Sequence, residues 1–329
     1  MRNVRISRSR FFRFNRLAAL VLVVGITTIA VVMSLGQRAQ HSDLGIARGN
    51  AAPIDPTGPE FHRNVTQIDL PKDASIFGER IPLENWEIRE RFEREFYYNY
   101  QNADQLVLWW KRSQRIFPVI DSMLRTAGMP TDLKYLAIAE SGLRNVKSPA
   151  DANGFWQFVP ETARLYGLRV DDYIDERLDP IRETGATIGY LQHAHAMFPS
   201  WLLVAASFNM GEDNVRIALD WQHASSYWNL YVNEETMRYV LRAAVIKELL
   251  TNGEKYGLDF MRLHGYDKPQ VKSVTIEGPV ASISDWAATN GYAYKDVKTL
   301  NPWIIGRYLP TGTYHINLPL TDMDRTTVK

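Results

Sequence analysis

From Glu84 to about Gly265 apolar residues recur at helical spacing, and the alternation a strand needs is scarce. Phe92 and Phe96 share one face, as do Leu106, Trp109, Trp110 and Ser113. Ile116 to Leu124 continues the pattern until Gly128-Met129-Pro130 stops it. Later helices are expected over Ile181–Met197, Trp201–Phe208 and Glu235–Leu250, the first opened by Asp179-Pro180. Such a stretch buries its stripes by packing helix on helix, so residues 76–265 are read as one all-α domain. The texture changes after Pro269. Val271 to Ile276 alternates and is rich in β-branched residues, which predicts a strand. Two short helices, Ile283–Thr289 and Tyr294–Leu300, are expected next. A second strand, Thr313–Leu318, should follow a turn at Pro310-Thr-Gly312, making residues 270–320 a small β-α-α-β domain.

The N-terminus sets the compartment. Leu17 to Leu35 is 19 residues without a charge, and as a helix it would be roughly 28 Å long. That nearly matches a hydrocarbon core of about 30 Å. Six arginines within residues 1–16 precede it, so this tail should stay in the cytoplasm and the body should be exported. A cleaved signal ending near Ser34 or Gly36 is the alternative, but the apolar run exceeds the usual signal core of about 7–15 residues. The reading taken is a retained inner-membrane anchor, 17–35, and a polar linker, 36–75, marked by Pro53, Pro56, Gly58 and Pro59. Without those six arginines the chain carries 32 basic against 37 acidic residues, so a nucleic-acid surface on the body is not expected. There is no cysteine, which removes disulfides, thiolate metal sites and a cysteine nucleophile together. His193 and His195 are two apart on a helix and point to different sides, so no metal is expected. No phosphate loop or dinucleotide glycine pattern occurs, and no cofactor is expected.

Four short segments carry candidate chemistry. Leu133, Leu136 and Ala137 lie at i, i+3 and i+4 of a helix that Thr131 or Asp132 can cap. Glu140 is i+7 and falls on the same apolar face. A carboxyl group placed there is pushed toward its neutral form, the state a general acid needs. The spacing equally fits a structural glutamate hydrogen-bonded at a helix end. Gly154-Phe-Trp-Gln157 sets an amide between aromatics behind a glycine, a combination suited to a sugar, or simply an aromatic core loop. Asn209 and Gly211 follow Ala205-Ala-Ser-Phe208, where they also fit a helix stop. Glu235 and Tyr239 share a helix face. Asp171-Asp172 and Asp175-Glu176 read as a solvated acidic loop, the tryptophans as core apart from Trp156, and Gly185 with Gly189 as a close helix contact.

In this order, Ala139-Glu140-Ser141, Gly154-Phe-Trp-Gln157, Ala206-Ser-Phe-Asn209-Met-Gly211 and Glu235-Thr236 with Tyr239-Val240 resemble the lytic transglycosylases with a goose-lysozyme-like domain, and among them the membrane-bound D type. The resemblance covers roughly residues 80–250. It implies a lysozyme-like helical catalytic domain whose single acid/base is Glu140. Ser148 matches the family serine six residues before the motif glycine. Gln157, Asn209 and Tyr239 match positions that hold substrate or orient the glutamate, and Trp156 and Phe208 join the expected substrate wall. Phe208 departs from the family tyrosine, and the loop Pro149–Asn153 carries Asp151 and Asn153 where small residues are usual. The last domain is similar to a LysM module through Ile283-Ser-Asp-Trp-Ala287, Leu300-Asn301-Pro302 and Gly312 to Pro319, although it lacks a Gly-Asp-Thr-Leu stretch. The implied activity is cleavage of the MurNAc–GlcNAc bond of peptidoglycan glycan strands with a 1,6-anhydro end, in the periplasm. The alternatives are a hydrolytic muramidase on the same scaffold, with Asp151 or water positioned for hydrolysis, and a non-catalytic wall-binding protein.

Overall fold

A computed structural model describes residues 68–320. The expected cytoplasmic tail, the anchor and most of the linker lie outside the described residues. No helix among the described residues is long and apolar enough to cross a membrane.

The body is mainly helical. A short hairpin, β1 (Ala74–Ile76) with β2 (Glu79–Ile81), leads into α1 (Trp86–Tyr100) and α2 (Ala103–Thr126). Then come α3 (Lys134–Ser141), the paired dipeptides β3 (Val146–Lys147) and β4 (Asn153–Gly154), and α4 (Pro160–Leu165). Helices α5 (Pro180–Met197), α6 (Trp201–Met210), α7 (Glu212–Gln222) and α8 (Glu234–Thr251) complete the domain. The helix boundaries expected for α5, α6 and α8 agree to within a turn. Asn85 caps α1 and Asp179 caps α5, each accepting from two backbone N–H groups that the first turn leaves unpaired.

Helix α8 organises the core. It buries Tyr239, Val240, Leu241, Ala243, Ala244, Val245, Ile246 and Leu249, and packs against α1, α3 and α6. Apolar residues ring nearly the whole helix, which is the signature of a helix enclosed by others.

The C-terminal domain runs β5 (Val271–Val280), α9 (Ile283–Thr289), α10 (Tyr294–Leu300) and β6 (Leu309–Pro319), as the β-α-α-β order predicts. Its strands pair antiparallel from Val271 opposite Pro319 to Gly278 opposite Gly312. The expected turn at Pro310-Thr-Gly312 is part of β6, which begins at Leu309 and meets an irregularity in β5 between Gly278 and Val280.

Two other expectations are corrected. The acidic run is not simply solvated: Asp175 is buried and forms a two-pronged pair with the buried Arg177, at 2.9 and 2.8 Å. Of the two α5 glycines, Gly185 faces open space and only Gly189 touches a neighbour, the ring of Tyr166.

Candidate active site

Glu140 sits in the last turn of α3, which is entered through a tight turn at Thr131–Leu133 without a side-chain cap. Asp132 instead pairs with Lys247 at 2.7 Å. Gly142 ends the helix in the left-handed region at φ 62°, where a Cβ would lie 2.5 Å from the Trp109 indole nitrogen. A side chain there would be both strained and blocked, so the stop directly after Glu140 and Ser141 is fixed. Leu133, Leu136 and Ala137 are fully buried on the face that carries Glu140.

Glu140 is half-buried, with its carboxyl group enclosed while the residue keeps an edge on a cleft. Burial raises its pKa to about 7. The Tyr239 hydroxyl, which donates to Oε1 at 2.6 Å, and the charge of Arg242 oppose that rise, while Glu235 adds to it. The position near a helix C-terminus also disfavours negative charge. The carboxyl group is therefore poised to hold a proton near neutral pH and to release it.

The facing wall is the segment 146–158. Gly154 has φ 90°, and a Cβ would fall 2.2 Å from the Arg177 carbonyl and 2.3 Å from Glu183 Oε1, so only glycine fits. The next two backbone N–H groups, of Phe155 and Trp156, donate to the Glu183 carboxylate at 2.7 and 2.9 Å. Glu183 is wholly buried in α5, and burial raises its pKa despite these two donors. Gln157 takes the left-handed conformation, φ 57°, and its amide nitrogen donates to the carbonyls of Val146 and Gly154 at 2.7 and 2.8 Å. Those bonds hold a backbone that a non-glycine residue adopts only under constraint. Ser148 accepts from the Ala152 N–H at 3.0 Å, closing the loop between β3 and β4.

Helix α6 supplies the third wall. The Asn209 carbonyl oxygen accepts from the Thr236 hydroxyl at 2.7 Å, and Asn233 donates its amide to that hydroxyl at 2.9 Å. This directional chain leaves the Asn209 amide N–H groups for the cleft. Phe208 lies edge-on to Tyr190, with centroids 5.2 Å apart, and close to Phe158 and Trp156.

One cleft of about 510 Å³ joins Glu140, Ser148, Gln157, Phe208 and Asn209. Tyr239 reaches Glu140 from behind it, almost fully buried. Trp156 touches the same cleft but is 1% exposed, with its indole N–H donating to Thr184 at 3.0 Å. The expectation that Trp156 is the main exception among core tryptophans is thereby corrected, and Trp303 is core as well. Trp156 is core beneath the cleft, while Trp86 and Trp221 are exposed. Asp151 does not line the cleft; its carboxylate pairs with Lys147 at 2.6 Å.

Sequence reasoning missed Glu183, Arg177 and Glu212. Glu212 lines the cleft, burial raises its pKa, and its Oε2 lies 3.7 Å from the His193 ring. Its place directly after Gly211 in the Asn209 motif was the available signal. No group of three or more His, Asp or Glu suited to a metal occurs among the described residues. His195 stacks on Trp201 instead.

A family model described as Transglycosylase SLT domain matches residues 118–231. A second, described as Soluble lytic transglycosylase C-terminal LysM-like domain, matches residues 272–322. The chain is 29% identical over 324 residues to proteins named Membrane-bound lytic murein transglycosylase D from two strains of Escherichia coli, which covers 94% of this chain and 68% of each relative. A solved structure of an inactive mutant of lytic transglycosylase Slt from Pseudomonas aeruginosa aligns at 20% identity with a TM-score of 0.32, covering 42% of this chain and 24% of that one.

Proposed function

We propose, from the premise that this chain is a peptidoglycan lytic transglycosylase with an SLT domain and a C-terminal LysM-like domain, that Glu140 is its sole acid and base. The observation that carries this reading is a carboxyl group enclosed at the edge of a cleft with a phenol donating to it, where burial raises its pKa to about 7. Protonated Glu140 gives its proton to the oxygen linking MurNAc to GlcNAc as that bond breaks. The N-acetyl oxygen of the muramic acid stabilises the positive charge at C1. Ionised Glu140, steadied by the Tyr239 hydroxyl, then takes the proton of the sugar's own 6-hydroxyl, whose oxygen closes on C1. The product is a 1,6-anhydro end, and Glu140 returns to its starting state. No carboxylate nucleophile is required, in contrast with the paired carboxylates of most glycosidases.

The neighbours have distinct parts. Asn209 offers amide donors to the substrate, Phe208 and the rings behind it form an apolar wall for a sugar face, and Gln157 and Ser148 hold the loop that closes the opposite side. The reading extends to a membrane anchor at residues 17–35 and a periplasmic body, supported by the uncharged run and the six preceding arginines.

The activity should fall as pH rises through about 7, because the fraction of protonated Glu140 falls there. In Tyr239→Phe the bond that favours ionised Glu140 is gone, so the alkaline limb should move to higher pH and turnover should drop by about tenfold or more. A pH–rate profile of anhydro-muropeptide release checks both. Asp151→Asn should leave turnover within about twofold of wild type, since asparagine tolerates a positive φ and the side chain points away from the cleft. A large loss in that variant would favour the hydrolytic reading that uses Asp151. Product mass separates the two chemistries, because hydrolysis adds a water that the anhydro end lacks.

A further inference from the structure

The catalytic and C-terminal domains share a core. Ile174, from the helical domain, is 1% exposed and sits among Ile283, Trp303, Ile304, Leu309 and Ile316. Around it the two chains pair as strands do. Ile174 bridges Ile304 antiparallel, Asp175 N–H donates to the Trp303 carbonyl at 2.8 Å, and the Ile305 and Gly306 N–H groups donate to the Tyr173 carbonyl at 2.9 and 3.0 Å. The ring of Tyr173 lies 4.2 Å from that of Tyr308, and the Arg182 guanidinium stands 5.2 Å from the Trp303 ring. Contacts of this kind fix the two domains relative to one another, where a bare tether would leave them free to move.

The chain of contacts continues inward. Asp175, whose backbone is held by Trp303, takes both prongs of Arg177. Arg177 Nη1 then donates to the carbonyls of Asp151 and Phe158, at 2.7 and 2.9 Å, which bracket the turn carrying Gly154 to Gln157. Arg177 and Asp175 are both buried, so neither can trade its partner for water without cost.

We propose that the C-terminal domain is a positioning element of the active site, its Trp303–Gly306 segment fixing Tyr173–Asp175 and, through the Asp175–Arg177 pair, the Gly154–Gln157 wall that faces Glu140. This rests on the assignment of Glu140 and its cleft as the catalytic site. Loosening the contact loosens the wall, admits water beside Glu140 and spoils the geometry of proton transfer. Substrate capture along the rest of the cleft is left nearly intact.

The test uses the full chain with Ile304→Ala, and Ile304→Val where the first variant lowers protection throughout the molecule. Hydrogen exchange at the Phe155 and Trp156 amides should quicken at least about tenfold, while α1 and α8 keep their rates. On purified glycan strands kcat should fall about tenfold with KM within about twofold. The alkaline limb of the pH–rate profile should move below 7, toward the ordinary carboxylate range. Unchanged exchange at Phe155 and Trp156 overturns the proposal, and so does a raised KM with kcat and the pH limb unaltered, the pattern of a wall-binding module. The exchange arm needs no turnover. If wild type itself made no anhydro product, the assignment of Glu140 would fail separately from the mechanical coupling.

Discussion

Glu140→Gln is expected to abolish the release of 1,6-anhydro ends from purified sacculi. Glutamine fills the same space and can still accept from Tyr239, but it has no proton to give to the glycosidic oxygen and cannot take one from the 6-hydroxyl. Loss of a general acid/base alone costs about 10²- to 10⁴-fold, and in the proposed mechanism both proton transfers use one group. The same substitution should stabilise the fold at alkaline pH. A carboxyl whose folded pKa is raised from 4.5 to about 7 contributes stability that is fully present below 4.5 and is lost as pH climbs through 7. Glutamine does not ionise and avoids that loss. The difference at pH 8 should be of the order of 3 kcal/mol, from a shift of about 2.5 units at about 1.36 kcal/mol each. Paired denaturant melts at pH 5 and pH 8 check it: the gain of the variant on wild type should be small at pH 5 and most of the full difference at pH 8. Full activity in Glu140→Gln would remove Glu140 from the mechanism.

Glu183→Ala should be the most damaging change away from the proposed acid/base, Glu140. It leaves the N–H groups of Phe155 and Trp156 buried without an acceptor, at about 1–3 kcal/mol each, and opens a void beside Gly154. A total of about 3–6 kcal/mol is a large share of the 5–15 kcal/mol typical of a folded domain. Anhydro-product release should fall with it, because the Gly154–Gln157 turn loses its anchor. Glu183→Gln should be intermediate, since its carbonyl oxygen serves one N–H while its NH₂ group meets the other. Denaturant unfolding and turnover measured on the same samples test this. An unfolding midpoint in Glu183→Ala equal to that of wild type would contradict the anchoring role.

What the sequence made legible follows from what local spacing encodes. Glu140 could be placed on a buried face because helix period alone puts i+7 above Leu133, Leu136 and Ala137. Gly154 was legible as a close-approach glycine, although what approaches it is the Arg177 carbonyl and Glu183 rather than a ligand. Glu183, Asp175 and Arg177 were not legible. A charged residue becomes core only when its polar atoms are satisfied, here by the Asp175–Arg177 pair together with carbonyls and N–H groups of other segments, and charge patterns in sequence resemble a solvated loop until those partners are known. Trp156 was misjudged for a related reason: its indole finds an acceptor on α5, at Thr184, which no spacing reveals. Gln157 reads in sequence as an amide with both its groups on offer, and its NH₂ group is taken by two carbonyls that hold its backbone. The shared core around Ile174 was equally hidden, because a single isoleucine in an acidic stretch carries no period.

The most direct measurement is titration of the Glu140 carboxyl itself, by carbon NMR of the full chain labelled at glutamate side chains, with Glu140→Gln identifying the resonance. A midpoint near 7, coinciding with the alkaline limb of anhydro-product release, is the result expected of an acid kept neutral by its burial. A midpoint in the ordinary carboxylate range, near 4.5, would contradict it, since Glu140 would then be ionised and without a proton to donate at neutral pH.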